Sequence, residues 1–164
     1  MHETHSKTAV ATAVLTVSDT RTTEDDRSGQ AILSLLKEKN HSVIHYKIVK
    51  DELTDINSIL HSWCENSLIQ TIIINGGTGF TPRDVTYEAV SSLLEKKMDG
   101  FGELFRMLSY QEIGPRAMFS RAIAGSVRDT AIYALPGSTN AVLLAMKELI
   151  LPTVQHFTEE LKRQ

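Results

Sequence analysis

Thr71-Ile72-Ile73-Ile74-Asn75-Gly76-Gly77-Thr78-Gly79 is the stretch that decides the architecture. Three successive isoleucines put β-branched apolar side chains on both sides of an extended chain, which suits a strand buried on both faces. Strands of that kind sit in parallel sheets covered by helices on both sides. The run breaks at a glycine-rich turn and resumes as Phe80-Thr81-Pro82-Arg83-Asp84. A helix is expected over 82–97, with Pro82 in its first turn, where a missing N–H is harmless.

The same alternation extends outward in both directions. Val10 to Val17, rich in Val, Ala and Thr, reads as a second strand buried on both faces, and Ser42 to Val49 as a β-branched one. Between them, Ile32, Leu35 and Leu36 recur at helical spacing within 28–39. Thr54 is a candidate cap for a helix that puts Ile56, Ile59, Leu60 and Trp63 on one face. Downstream, Phe101, Leu104, Phe105 and Leu108 share a helical face. Residues 121–127 and 130–135 read as strands joined by a hairpin at Arg128-Asp129. A last apolar stripe runs from Ala141 to Leu161, with Pro152 expected to kink or divide it. The fold class is therefore α/β, a mainly parallel sheet with one antiparallel hairpin.

Composition narrows the function classes. The 164 residues match one ordinary domain, expected over 8–164. The polar stretch Met1-His2-Glu3-Thr4-His5-Ser6-Lys7 is expected to be a mobile tail with no signal-peptide character. A hydrophobic fraction of 41% excludes global disorder, and a net charge of -3 argues against a nucleic-acid binder. The one cysteine, Cys64, cannot close an internal disulfide, so a cytoplasmic setting is expected. No apolar run is long enough to span a membrane.

In open α/β sheets, ligands bind beyond the carboxyl ends of the strands. Those ends carry Ser18-Asp19, Lys50-Asp51, Asn75 to Gly79, and Pro136-Gly137-Ser138-Thr139-Asn140. The loop Gly76-Gly77-Thr78-Gly79 lets the backbone approach a ligand closely, and a turn leading into a helix makes an anion site. It lacks the Gly-Lys-Ser/Thr of a P-loop, and Pro82 stands where a dinucleotide fingerprint needs glycine. A tight turn with no ligand would read the same way. Asp51 and Asp84 are expected after neighbouring strands at one end of the sheet, where two carboxylates can hold magnesium against a polyphosphate. On residue type alone, Asp84 is equally a helix cap and Asp51 a solvated loop residue. Arg21, Arg83 and Arg116 fall in expected loops and match phosphate bidentately. His41 and His45 lack a third ligand for zinc, so no tightly bound transition metal is expected.

Taken with Gly76 to Thr86, the segments Gly100-Phe101-Gly102-Glu103, Ser120-Arg121 and Leu135-Pro136-Gly137-Ser138 resemble the MoaB/MogA family of molybdenum-cofactor biosynthesis proteins. The fold of that family also occurs in gephyrin and MoeA. The resemblance runs from about Val10 to about Leu161, and the run from Phe101 to Gly114 is closest to the MoaB branch. It implies a three-layer α/β/α sandwich and binding of molybdopterin. It also implies magnesium-dependent reaction of molybdopterin with ATP, giving adenylylated molybdopterin and pyrophosphate, with Asp51 and Asp84 as the required aspartates. Gly76, Gly77, Thr78 and Gly79 match the nucleotide and pterin phosphate site, Ser138 with Gly100, Gly102 and Glu103 matches the pterin side, and Ser18 and Gly137 are further candidate binding residues. Assembly as trimers or hexamers is implied, as is hand-over to a MoeA-type molybdenum insertase. The alternative that the family leaves open is a non-catalytic molybdopterin binder or carrier.

Overall fold

The computed structural model describes residues 8–163. The expected tail, residues 1–7, lies outside the described residues. Four strands run parallel: β1 (Ala11–Val17), β2 (Ser42–Val49), β3 (Thr71–Asn75) and β6 (Thr130–Leu135). β5 (Ile123–Val127) is antiparallel to β6, and the two-residue β4 (Lys96–Lys97) is antiparallel to β5. The order across the sheet is β2-β1-β3-β6-β5-β4.

Side-chain alternation divides the core into two layers. On one face Val14, Ile73, Tyr133 and Leu135 pack under α1 (Arg27–Glu38), α4 (Asp99–Ile113), α5 (Thr139–Ala145) and α6 (Leu151–Leu161). On the other, Ala13, Leu15, Ile72, Ile74 and Ile132 pack under α2 (Leu53–Glu65) and α3 (Thr86–Leu93). The three-layer α/β/α sandwich follows from apolar residues on both sides of each central strand. Cys64 is buried on α2, and that burial pushes its thiol up to about 11, so it behaves as a core residue.

Several boundaries differ from those expected. The helix expected over 82–97 begins only at Thr86. The Asp84 carboxylate accepts hydrogen bonds from the Thr81 N–H and hydroxyl at 2.9 and 2.7 Å, closing a separate turn around Pro82. Asp84 therefore does not cap α3, whose cap position is Val85. Lys96 and Lys97 leave the helix because Glu95 and Met98 donate their N–H groups to Ser126 and Ala124 of β5. Thr54 lies inside α2 and caps nothing. Pro152 does not divide the last helix. A π turn at Met146–Ile150, in which Leu151 N–H reaches back to the Met146 carbonyl, joins α5 to α6. Proline has no N–H for the carbonyl four residues before it, and the wider turn absorbs that loss.

Strand register positions the site. Val17 pairs with Val49, Thr16 with Asn75, and Asn75 with Leu135. The carboxyl ends of β2, β1, β3 and β6 are thus level. β1 connects outward to β2, and the chain then returns to β3 on the other side of β1. The crevice between β1 and β3 is the topological switch point of the sheet.

Candidate functional site

At that switch point a cleft of about 380 Å³ opens. Its wall includes Ser18 and Arg21 after β1, Asp51 after β2, Gly76 to Gly79 and Asp84 after β3, and Gly137 after β6. The glycine loop is anchored on both sides. Gly76 N–H donates to the Leu135 carbonyl at 3.0 Å, and Thr86, the first residue of α3, donates from its hydroxyl to the Gly76 carbonyl and from its N–H to that of Gly77. Gly76 and Gly77 take φ of +98° and +73°. A Cβ at Gly76 would strike the Val17 carbonyl, and one at Gly77 the Thr86 hydroxyl, so both positions demand glycine on geometry and on space. The N–H groups of Gly77, Thr78 and Gly79 have no acceptor among the described residues, although Thr78 is buried. Consecutive unpaired N–H groups on a cleft wall form an anion cradle. The cradle is made by the loop itself, not by a helix start, since the first N–H of α3 is already spent on Gly77.

The two expected aspartates both reach this cleft, although the strands they follow are not neighbours, since β1 lies between β2 and β3. Asp51 Oδ1 lies 3.3 Å from the position a Cβ would take at Gly77, and Asp84 Oδ2 lies 2.8 Å from that at Gly79. They are near enough to feel each other. The Asp51 carboxyl is held above the usual carboxylate range, first by burial and then by the charges of Asp19 and Asp84, with Arg83 opposing. Asp19 accepts the Asp51 N–H at 3.0 Å and a bidentate pair from Arg83 at 2.9 and 3.0 Å, and Arg83 also reaches Glu52 at 2.9 Å. That pairing holds the Asp19 carboxyl below its ordinary value and ties together the loops after β1, β2 and β3. Among the described residues no group of three or more His, Cys, Asp or Glu side chains is placed to hold a metal. Asp51 and Asp84 are the two carboxylates on this cleft wall, and their oxygens are hard. That donor set fits magnesium, which keeps waters and substrate phosphates as its other ligands.

The other expected residues fall in three places. Ser18 starts a turn by accepting the N–H groups of Thr20 and Arg21. Ser138 caps α5, taking the Ala141 N–H at 3.2 Å. Gly102 and Glu103 line a neighbouring cleft of about 470 Å³ with Phe80, Tyr87, Arg106 and Arg121, which meets the first at Ser120. Gly100 lies outside both clefts, on the exposed start of α4. Arg116 lines neither, and His41 and His45 serve the fold: His41 Nδ1 accepts the Val10 N–H, and His45 stacks on Trp63.

The structural roles of three residues escape sequence reasoning. Arg121 lies between the rings of Phe80 and Tyr87, at 5.1 Å from each, pairs with Glu88, and donates to the carbonyls of Gly79 and Asp84. It braces the glycine loop from 37 and 42 residues away. Thr86 and the buried Asp26 are equally silent in spacing. Only the Asp26-x-x-Gly29 offset, a common capping interval, was there to be read, and Asp26 does cap α1 through the Gly29 N–H.

A parallel sheet with a ligand cleft at its switch point marks an open α/β protein that takes a small molecule at the strand ends. Residues 13–156 match the family model described as "Probable molybdopterin binding domain". The chain belongs to the MoaB/MogA family of molybdopterin-binding proteins. It is 48% identical to molybdenum cofactor biosynthesis protein B of Bacillus cereus, over 99% of this chain and 97% of that one. A crystal structure of a molybdenum cofactor biosynthesis protein B superposes with a TM-score of 0.93 at 50% identity, covering 96% of this chain and 99% of that one. The tungsten cofactor synthesizing protein MoaB of Pyrococcus furiosus superposes at 0.84 and 32% identity, over 94% and 98%. These near-complete overlaps place the whole described fold within the family, and among the described residues no helix is long and apolar enough to cross a membrane.

Proposed function

We propose that this chain is a molybdopterin adenylyltransferase, a nucleotidyltransferase that uses magnesium and ATP. The observation that carries the reading is the meeting of Asp51 and Asp84 beside three unpaired loop N–H groups in one cleft. A phosphate oxygen of molybdopterin attacks the α-phosphorus of ATP. The bond from that phosphorus to the bridging oxygen breaks, and the electron pair leaves with pyrophosphate. No enzyme nucleophile is needed. The chain has to bring two anions together and hold them in line. Gly77, Thr78 and Gly79 meet phosphoryl oxygens with N–H groups that are already oriented, so no reorganisation is required as charge develops. Magnesium, when bound by Asp51 and Asp84, supplies charge neutralisation on the polyphosphate. Ser138, Gly102 and Glu103 bound the pterin side, and Ser18 and Gly137 are further binding residues of the cleft.

The reading extends to the setting. The chain works as a single domain, in the cytoplasm, as a trimer or hexamer, and passes its product to a MoeA-type molybdenum insertase. Support for assembly comes from Phe80, Leu104, Met107, Tyr110, Ile113, Met118 and Phe119, large apolar side chains exposed along α4 and its neighbouring segments.

The test is pyrophosphate release with molybdopterin, ATP and magnesium. Asp51→Asn and Asp84→Asn keep shape and remove charge. Each is expected to lower turnover by orders of magnitude while molybdopterin stays bound. Full turnover in both variants would remove the aspartates from the chemistry. Intact pterin binding with no turnover in the unaltered protein would leave a carrier.

A further inference from the structure

Asp26 is a fully buried carboxylate with no part in the chemistry above. A buried charge persists only where it is paired and hydrogen-bonded. Asp26 accepts from the Thr16 hydroxyl at 2.6 Å, the Gly29 N–H at 3.1 Å and the Tyr46 hydroxyl, and it faces Arg21 Nη1 at 3.5 Å. These contacts form part of a closed, oriented ring. Arg21 Nη1 donates to Ser28 Oγ at 2.6 Å, and Ser28 donates to Asn75 Oδ1 at 2.7 Å. Asn75 Nδ2 donates to Thr16 Oγ1 at 2.9 Å, and Thr16 returns the chain to Asp26. Outside the ring, Arg21 Nη2 donates to the Gly137 carbonyl at 2.8 Å.

The ring fixes the guanidinium at its back and at one side. It leaves Nε–H and one N–H of Nη2 with no acceptor among the described residues. The Arg21 side chain is 32% exposed, and Arg21 is the one cation among the described residues that line the cleft. Asn75, directly before Gly76, couples the same ring to the anion cradle. A fork held rigid with donors to spare, beside unpaired backbone N–H groups, matches a phosphoryl group in shape and charge.

We propose that Arg21 binds the phosphoryl group of the ligand in this cleft, and that Asp26, which does not touch the ligand, is its positioning residue. The proposal rests on the reading of the cleft as a phosphate site. It adds which side chain supplies the cation and what holds it. Every partner of Asp26 is a donor, so the amide nitrogen of an asparagine there would face a donor and release Arg21. Tyr46→Phe removes one donor from Asp26 and leaves the Arg21 contacts in place.

The experiment is calorimetric titration with tripolyphosphate, and separately with molybdopterin, beside melting curves. Losing charge-assisted bonds at Arg21→Gln is expected to weaken the phosphate probe by about 10- to 100-fold. Arg21→Lys should recover part of that loss. Asp26→Asn is expected to weaken the probe and lower the melting temperature, whereas Tyr46→Phe lowers the melting temperature with affinity kept. The two titrations tell whether the nucleotide phosphates, the pterin phosphate or both reach Arg21. Unchanged affinity for both probes in Arg21→Gln would overturn the proposal and leave the cleft assignment standing. Asp26→Asn with unaltered affinity would reduce Asp26 to a structural residue and overturn its half. If the unaltered protein takes up neither probe, the cleft assignment and this proposal fall together.

Discussion

Gly77→Ala separates two costs that the glycine loop hides. The first is conformational: at φ +73° a side chain sits in the left-handed region, which costs about 1–2 kcal/mol. The second is steric. The new Cβ would collide with the Thr86 hydroxyl and come within 3.2 Å of Thr86 Cβ and 3.3 Å of Asp51 Oδ1. Thr86 must then give up its 2.8 Å hydrogen bond to the buried Gly76 carbonyl. An unsatisfied buried acceptor costs about 1–3 kcal/mol, so Gly77→Ala is expected to lose about 2–5 kcal/mol in all. Thr86→Ala removes the same hydrogen bond directly, and in the double variant it is lost only once. The two single losses should therefore exceed the double loss by about 1–3 kcal/mol, the worth of that bond. Urea unfolding of the four proteins measures all terms. Additivity within about 0.5 kcal/mol, with a Gly77→Ala loss below about 1 kcal/mol, would refute the claim that Thr86 and the positive φ lock this loop.

Three further outcomes are expected. In the proposed reaction Asp51 has to be ionised to hold magnesium, and its carboxyl is held above the usual range, so turnover is expected to fall as pH drops through that raised value. Asp19→Asn removes a charge that raises it and should shift the acid limb of the rate profile to lower pH; an unmoved limb would exclude Asp51 as the titrating group. The stability effect has the opposite sign: with its folded pKa raised, Asp51 weakens the fold above the unfolded value, and this is relieved as pH falls through the folded one. Arg121→Ala removes the brace on Gly79 and Asp84 and should cost about 1–3 kcal/mol, with faster amide exchange at Thr81 and Asp84; unchanged exchange would show that the turn closes without it. Light scattering should give three or six times the chain mass of 18.2 kDa, and a monomer at micromolar concentration would exclude the assembly.

The sheet was legible because its central strands are apolar on both faces, and Ile72, Ile73 and Ile74 carry that signal without their neighbours. The glycine loop and its two aspartates were legible because strand ends and glycine turns are local features. Their meeting was expected only from a shared end of the sheet, and register supplied the rest. What stayed hidden is long-range or competitive. Nothing near Arg121 in the chain says that it braces Gly79. The delayed start of α3 depends on Asp84 bonding to Thr81 in place of a helix N–H, two local options that residue type does not rank. The helix reading of Lys96 and Lys97 failed because pairing with β5 outcompetes their helical propensity.

The π turn at Met146–Ile150 has a consequence for how this chain tolerates changes of length. In a regular α-helix, one residue added or removed rotates everything beyond it by about 100°. Here that would carry Val154 off the core, where it packs with Val142 and Ala145. A π turn already contains one residue beyond the α period. Losing one of its exposed members, Lys147 or Glu148, by reverting to α-helical winding would keep both flanking faces in phase, at the cost of returning Pro152 to a regular helix. The C-terminal helix thus carries a reserve of one residue next to Pro152, at the point where a strictly α-helical chain would have none.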